Sequence, residues 1–152
     1  MELPLTGGCV CGAIRYRITK APLDIYACHC TDCQRATSGA CSIGIVVPDE
    51  AFEATGKPAR SIAGGIADSG RVKYRWVCPD CGVWLFGNPR PGTKRPGTVR
   101  VVRGGTLDDT SWVRPTTHYW TRSAQPWLVL YGIQYETQPE IAAQAHRRDA
   151  PP

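Results

Sequence analysis

Eight cysteines stand at positions 9, 11, 28, 30, 33, 41, 78 and 81 of this 152-residue chain, and only Cys41 is isolated. The others fall in CVCG (9–12), CHCTDC (28–33) and CPDCG (78–82). In a reducing compartment stable disulfides are rare, and clustered cysteines more often bind metal. A C-x-C or C-x-x-C turn can aim two sulfurs at one ion. Zn²⁺ takes four such ligands tetrahedrally, with sulfur at about 2.3 Å. The spacing therefore predicts zinc. In CPDCG, Pro79 helps set the turn and Gly82 can take the left-handed conformation just after the second sulfur. Cys11-Gly12 repeats that ending.

Seven clustered sulfurs divide as four plus three. Cys28, Cys30 and Cys33 form one contiguous set, which leaves Cys9 and Cys11 to close a tetrahedral site with Cys78 and Cys81. Four thiolates leave no open position and mark a structural zinc; three leave one position free, as catalytic zinc has. A competing division pairs Cys30 and Cys33 with Cys78 and Cys81 in an ordinary ribbon. The three-cysteine group could also be a second structural site completed by His29, His118 or Cys41. His29 lies between two ligands of one tight loop, so its ring is expected to point away from their metal. Cys41 is in phase with Ile43, Ile45 and Val47 and reads as a small core hydrophobe.

Short strands must position these clusters. Sixteen Gly and 13 Pro disfavour long helices, while 42% hydrophobic and 20% charged residues suffice for one folded core. Period-two alternation recurs over 13–18, 41–47 and 71–77, and short apolar runs follow at 83–86, 98–102 and 128–131. The breaker-rich 87–97 reads as a surface loop, Glu140–Arg147 as two helical turns or a mobile tail, and a turn or two of helix should follow Cys30. The fold class is all-β: one zinc-binding domain over 5–135 and a tail over 136–152.

Charge and hydropathy narrow the partners. The formal net charge is +5, but seven thiolates around two Zn²⁺ would lower it to +2. No Lys/Arg run is concentrated enough to demand a nucleic-acid partner. No apolar run reaches the roughly 18–20 residues of a membrane span, and MELPLTGG lacks the charge-then-apolar order of a secretory signal, so a cytoplasmic location is expected.

GGCVCGAIRY (7–16), CHCTDCQRATSGA (28–40), CPDCGVWLFG (78–87), GTLDD (105–109) and RSAQPW (122–127) occur in this order. The ordered set resembles the glutathione-dependent formaldehyde-activating enzyme family, to which centromere protein V is also related. The resemblance covers residues 5–127 and implies the family's β-tent, several small antiparallel sheets coiled around a zinc, in a zinc-ribbon-like manner. By motif, Cys9, Cys11, Cys78 and Cys81 match the structural zinc ligands. Cys28, Cys30 and Cys33 match a second, labile zinc site proposed to receive glutathione.

The implied reaction joins glutathione to formaldehyde or a related small aldehyde, giving S-hydroxymethylglutathione. Glutathione carries two carboxylates, which suit forked contacts with arginine. Arg35, just after the CHCTDC loop, is the first candidate partner; Lys73 and Arg75, leading toward Cys78, come second. His118 and His29 are candidate acids or bases. Asp108 and Asp109 read as turn formers, and Trp112, Trp120 and Trp127 as core or rim. The alternatives are a non-catalytic zinc module for nucleic acid or protein, a glutathione or formaldehyde carrier, and redox sensing by the 28–33 thiols. The oligomeric state is not readable.

Overall fold

The computed structural model describes residues 1–66, 72–87 and 97–137. The chain is mainly β and divides into two compact units. One comprises Met1–Ile25 with Ile43–Arg114, the other Tyr26–Ser42 with the chain from Pro115 onward. The strands are β1 (Leu5–Gly8), β2 (Ile14–Ile18), β3 (Asp24–Cys28), β4 (Ser42–Pro48), β5 (Phe52–Gly56), β6 (Arg60–Ile66), β7 (Val72–Val77), β8 (Trp84–Gly87), β9 (Val99–Arg103), β10 (Thr117–Tyr119) and β11 (Ile133–Tyr135). Among the described residues the one α-helix, α1 (Thr31–Thr37), follows Cys30, at the place expected from the sequence.

In the first unit β1-β2-β5 form an antiparallel sheet, and β4-β9-β8-β7-β6 form an antiparallel row. Alternation decides what is buried. Ile14, Tyr16 and Ile18 are buried while Arg15 and Arg17 between them are exposed. Ile45, Val47, Leu85, Phe86 and Val102 complete the core, with Cys9 and Cys78 among them. Phe52 and Phe86 meet edge-on at 5.0 Å, and the Arg100 guanidinium lies over both rings while pairing with Asp49 at 2.6 Å.

Gly7 explains why two separated motifs travel together. A Cβ there would lie 2.3 Å from the Tyr16 hydroxyl oxygen and 2.4 Å from the Thr106 carbonyl oxygen. The backbone of GGC (7–9) is thus pressed against GTLDD (105–109). Tyr16 Oη and Thr106 Oγ1 share a 2.8 Å hydrogen bond, and the Asp108 N–H donates to the Thr6 carbonyl at 2.9 Å.

In the second unit β10 runs parallel to both β3 and β11. Antiparallel pairing was the expectation. The connection from Tyr119 to Ile133 is long enough for the crossover that a parallel pair requires. The run expected as a strand at 128–131 is not one, and the strand lies slightly later, in β11. Cys41 is half-buried rather than a core residue. Most of the expected 87–97 loop and the Glu140–Arg147 segment lie outside the described residues.

Candidate metal centres

Cys9, Cys11, Cys78 and Cys81 gather with their sulfurs within 4.8 Å of one another, all inside the first unit. Two turns of similar build present them. In one, the Gly12 N–H donates to the Cys9 carbonyl at 3.1 Å; in the other, the Gly82 N–H donates to the Cys78 carbonyl at 3.0 Å. The strands close beneath them alike, Cys9 N–H to the Ile14 carbonyl and Cys78 N–H to the Val83 carbonyl, each at 3.0 Å. Gly12 and Gly82 have φ of 76° and 73°, the left-handed conformation that favours glycine. This is a zinc-ribbon-like arrangement.

The sulfurs fit a tetrahedral ion. Sγ–Sγ distances are 3.5 Å for Cys9–Cys11 and 3.7 Å for Cys11–Cys78. Ligands at about 2.3 Å from zinc stand about 3.8 Å apart, whereas a disulfide needs about 2.05 Å. The Ile14 N–H also donates to Cys9 Sγ at 3.2 Å.

Proton affinities within the cluster diverge. The Val83 backbone N–H is the first cause that draws Cys81 down to about 6. Burial raises Cys9, but the Ile14 N–H and the Cys11 and Cys78 thiols outweigh it and leave Cys9 below its ordinary value. The Ala13 backbone N–H favours the Cys11 thiolate, yet its bonds to Cys81 and Cys9 outweigh that and push it up to about 12. Without a cation the last proton is held hard. A divalent ion removes that obstacle by deprotonating its thiols.

Cys28, Cys30 and Cys33 make a second group within the same 4.8 Å limit, inside the second unit. Cys28 Sγ lies 3.5 Å from Cys30 Sγ, and the Cys33 N–H donates to Cys30 Sγ at 3.4 Å, capping α1. Bonds with Cys30 and Cys33, then burial, raise the Cys28 thiol far above its ordinary value. The group has three members among the described residues; no fourth Cys, His, Asp or Glu joins it.

The loop carrying these sulfurs is tied down by Gln34, which the sequence reading passed over. Gln34 Nε2 donates to the carbonyls of His29 and Ser123, each at 2.7 Å, and Gln34 Oε1 accepts from Gln125 Nε2 at 3.1 Å. Gln34 closes CHCTDCQ, and Ser123 and Gln125 lie in RSAQPW. Two amide residues in two ordered motifs were the available signal.

His29 and His118 are buried side by side, rings stacked at 5.3 Å. His118 Nε2 lies 2.9 Å from the Tyr131 carbonyl oxygen, which can only accept, so Nε2 carries the proton. In that tautomer His118 Nδ1 is an acceptor for the Nε2–H of His29, 3.0 Å away. This tautomer chain leaves His29 Nδ1 a lone pair, buried and without a hydrogen bond of good geometry. Burial first, and His118 second, lower the His29 pKa; the nearby Ala40 carbonyl opposes this weakly. Both nitrogens of His118 are committed to protein partners.

Arg35 is well exposed on α1, 3.9 Å from Asp32. Arg75 reaches over Trp84, with its guanidinium carbon 5.9 Å from the ring centre, and Lys73 precedes it on β7. Asp109 turns the chain by accepting from the Ser111 N–H at 2.9 Å. Trp112 packs on the core, while Trp127 is exposed.

A family model described as glutathione-dependent formaldehyde-activating enzyme matches residues 4–123. The chain belongs to that family. A relative from Sordaria macrospora, which carries the provisional name glutathione-dependent formaldehyde-activating enzyme, is 29% identical over 91 residues. That alignment covers 56% of this chain and 37% of the relative, so the chain spans little more than a third of the relative's length. A crystal structure of a Rhodobacter sphaeroides protein aligns with a TM-score of 0.49 and 19% identity, covering 68% of this chain and 87% of that one. No described helix is long and apolar enough to cross a membrane.

Proposed function

We propose that this chain joins glutathione to formaldehyde, or to a related small aldehyde, as a zinc-dependent carbon–sulfur lyase acting in the synthetic direction. Cys9, Cys11, Cys78 and Cys81 would hold a structural zinc, and Cys28, Cys30 and Cys33 a second, labile one. The observation that carries this reading is the contrast between the two groups: four sulfurs in one and three in the other. Zinc bound by the three would hold glutathione's sulfur as thiolate at neutral pH, where a free thiol of pKa about 8.5 is only a few per cent ionised.

The balance of the reaction is simple. Glutathione's sulfur forms a bond to the carbonyl carbon, the carbon–oxygen π pair moves to oxygen, and the proton lost by the thiol is made good on that oxygen. The chain's own contribution is placement. The Cys33 N–H holds Cys30 Sγ, and Gln34 fixes the loop, so the three sulfurs converge before any ligand arrives. Such pre-set geometry lowers the entropic barrier to a two-substrate reaction. Arg35, on the helix that follows the three sulfurs, would supply a cation for a glutathione carboxylate, whereas Lys73 and Arg75 belong to the first unit.

The test is zinc stoichiometry with and without millimolar glutathione, alongside NMR exchange between formaldehyde and its thiol adduct. The expected result is two zinc ions per chain, one of them displaced or newly coordinated by glutathione, and exchange faster than the unassisted reaction. A glutathione-sensitive zinc without faster exchange would mark a carrier. No effect of glutathione on metal content or metal spectroscopy would remove the reading.

A further inference from the structure

We propose that Cys11 is a modification site: its sulfur is the point at which a peroxide enters the four-sulfur group, forms a disulfide there and releases the ion. The proposal rests on the reading of Cys9, Cys11, Cys78 and Cys81 as a zinc site, and it gives a redox role to the group that the catalytic reading treats as purely structural.

The four sulfurs are not equivalent. Cys78 is 0% exposed and Cys9 is 5% exposed, both within the core cluster, and Cys81 is half-buried and packs against that cluster. Cys11 is exposed. Its chain neighbours give it no cover: Val10 is 85% exposed, and a Cβ on Gly12 would meet no atom within 4 Å. Main-chain donors also favour Cys11 as the reactive sulfur. Cys81, the next most accessible, accepts from the backbone N–H groups of Val83 and Cys11, while Cys11 accepts from that of Ala13. Each such bond stabilises the thiolate and blunts it as a nucleophile.

Oxidation of cysteine follows thiolate character and exposure, and a metal-bound cysteine is already a thiolate. Cys11 Sγ gives an electron pair to one peroxide oxygen, the O–O bond breaks, and the other oxygen leaves as hydroxide. The product at Cys11 is a sulfenic acid. A neighbouring thiolate then attacks the sulfenic sulfur and expels a second hydroxide, closing a disulfide. Cys9 Sγ at 3.5 Å and Cys78 Sγ at 3.7 Å are both near enough, since the bond needs only a contraction to about 2.05 Å. Two thiolates lose two electrons in all, and the peroxide takes them up. Two thiolates then remain where a structural zinc requires four ligands, so the ion is released. A thiol reductant reverses the disulfide and restores the site.

Hydrogen peroxide added to the zinc-loaded full chain tests this. Dimedone traps sulfenic acid for peptide mass spectrometry, and a chromophoric chelator counts the zinc released. Within the four-sulfur group the first dimedone adduct should fall on Cys11, and without dimedone a disulfide containing Cys11 should appear as the ion is lost. Cys11→His, which keeps a nitrogen ligand for zinc, should release this ion about tenfold more slowly than the wild type, because the exposed thiolate is gone. Cys81→His should release it at the wild-type rate. An adduct on Cys9, Cys78 or Cys81 ahead of Cys11 overturns the proposal, as does a Cys11→His chain that releases its zinc as fast as the wild type. A chain that holds no zinc at the four sulfurs before oxidation removes the metal reading itself, and the proposal with it.

Discussion

His29 Nε2 and His118 Nδ1 lie 3.0 Å apart in the interior of the second unit, and the Tyr131 carbonyl fixes which of them carries the proton. His29 sits between two cysteines of the CHCTDC loop, so this contact anchors the loop that presents them. Replacing His118 with Phe would leave the Nε2–H of His29 buried without an acceptor, at a cost of about 1–3 kcal/mol. His118→Asn, whose side-chain oxygen can accept from His29, should recover part of that loss. Thermal unfolding of the zinc-loaded proteins checks both, and equal destabilisation by Phe and Asn would contradict the assigned proton positions.

Gln34 holds the same loop from the other side. Removing its amide in Gln34→Ala frees the His29 and Ser123 carbonyls together. Partners that orient metal ligands typically contribute 10–100-fold to affinity. On the proposed two-zinc reading, the ion at Cys28, Cys30 and Cys33 should therefore bind about 10–100-fold more weakly, and the ion at Cys9, Cys11, Cys78 and Cys81 should be unaffected. Competition with a chromophoric chelator would resolve the two ions. Equal weakening of both would argue for a general loss of fold.

On the proposed function, the two cysteine groups should separate activity from folding. Cys9 and Cys78 are buried in the core cluster, so Cys78→Ser should abolish cooperative unfolding of the first unit along with its zinc. Cys28, Cys30 and Cys33 are half-buried in the short second unit. Cys30→Ser should leave the first unit's unfolding transition in place and remove only the glutathione-sensitive ion. Calorimetry paired with metal analysis distinguishes these outcomes.

Much of this was legible in the residues because sulfur spacing and strand alternation are local signals. Cys9-x-Cys11-Gly12 and Cys78-x-x-Cys81-Gly82 announce two turns, and the Ile14, Tyr16, Ile18 alternation announces a strand with one buried face. What the sequence could not show depends on distant partners. Gln34 reads as an ordinary helical amide until Ser123 and Gln125 come beside it. β10 carries only three residues, too few for a periodic signal, and its parallel pairing to β3 rests on crossovers that no local pattern encodes. His118 looked available for acid–base work because nothing in THYW reveals that the Tyr131 carbonyl and His29 claim both its nitrogens.

Gly7 offers a packing test of the GGC–GTLDD junction. An added methyl would overlap the Tyr16 hydroxyl and the Thr106 carbonyl, and the carbonyl belongs to backbone that cannot swing aside. Gly7→Ala should destabilise the first unit by about 1–3 kcal/mol. Combining it with Tyr16→Phe removes the hydroxyl but leaves the ring carbon Cζ, 2.4 Å from the added methyl, and the Thr106 carbonyl, so it should restore less than half of the loss. Full restoration would place the strain on the tyrosine hydroxyl alone.

Asp108 supplies the pH dependence. Its carboxylate accepts from the Arg15 guanidinium and, at 2.6 Å, from Thr6 Oγ1, and these bonds hold its pKa below the ordinary carboxylate value. A lowered folded-state pKa contributes stability that is present above the unfolded value, near 3.9, and is lost as pH falls through the folded value. Both side chains are nearly half exposed, so solvent screening limits the contribution to about 0.5 kcal/mol. At neutral pH and low salt, Asp108→Asn should therefore melt slightly below the wild type. That gap should shrink with added salt and close as the pH is lowered beneath the ordinary carboxylate range. A gap unchanged across both titrations would mean that Asp108 acts through its shape in the turn and not through its charge.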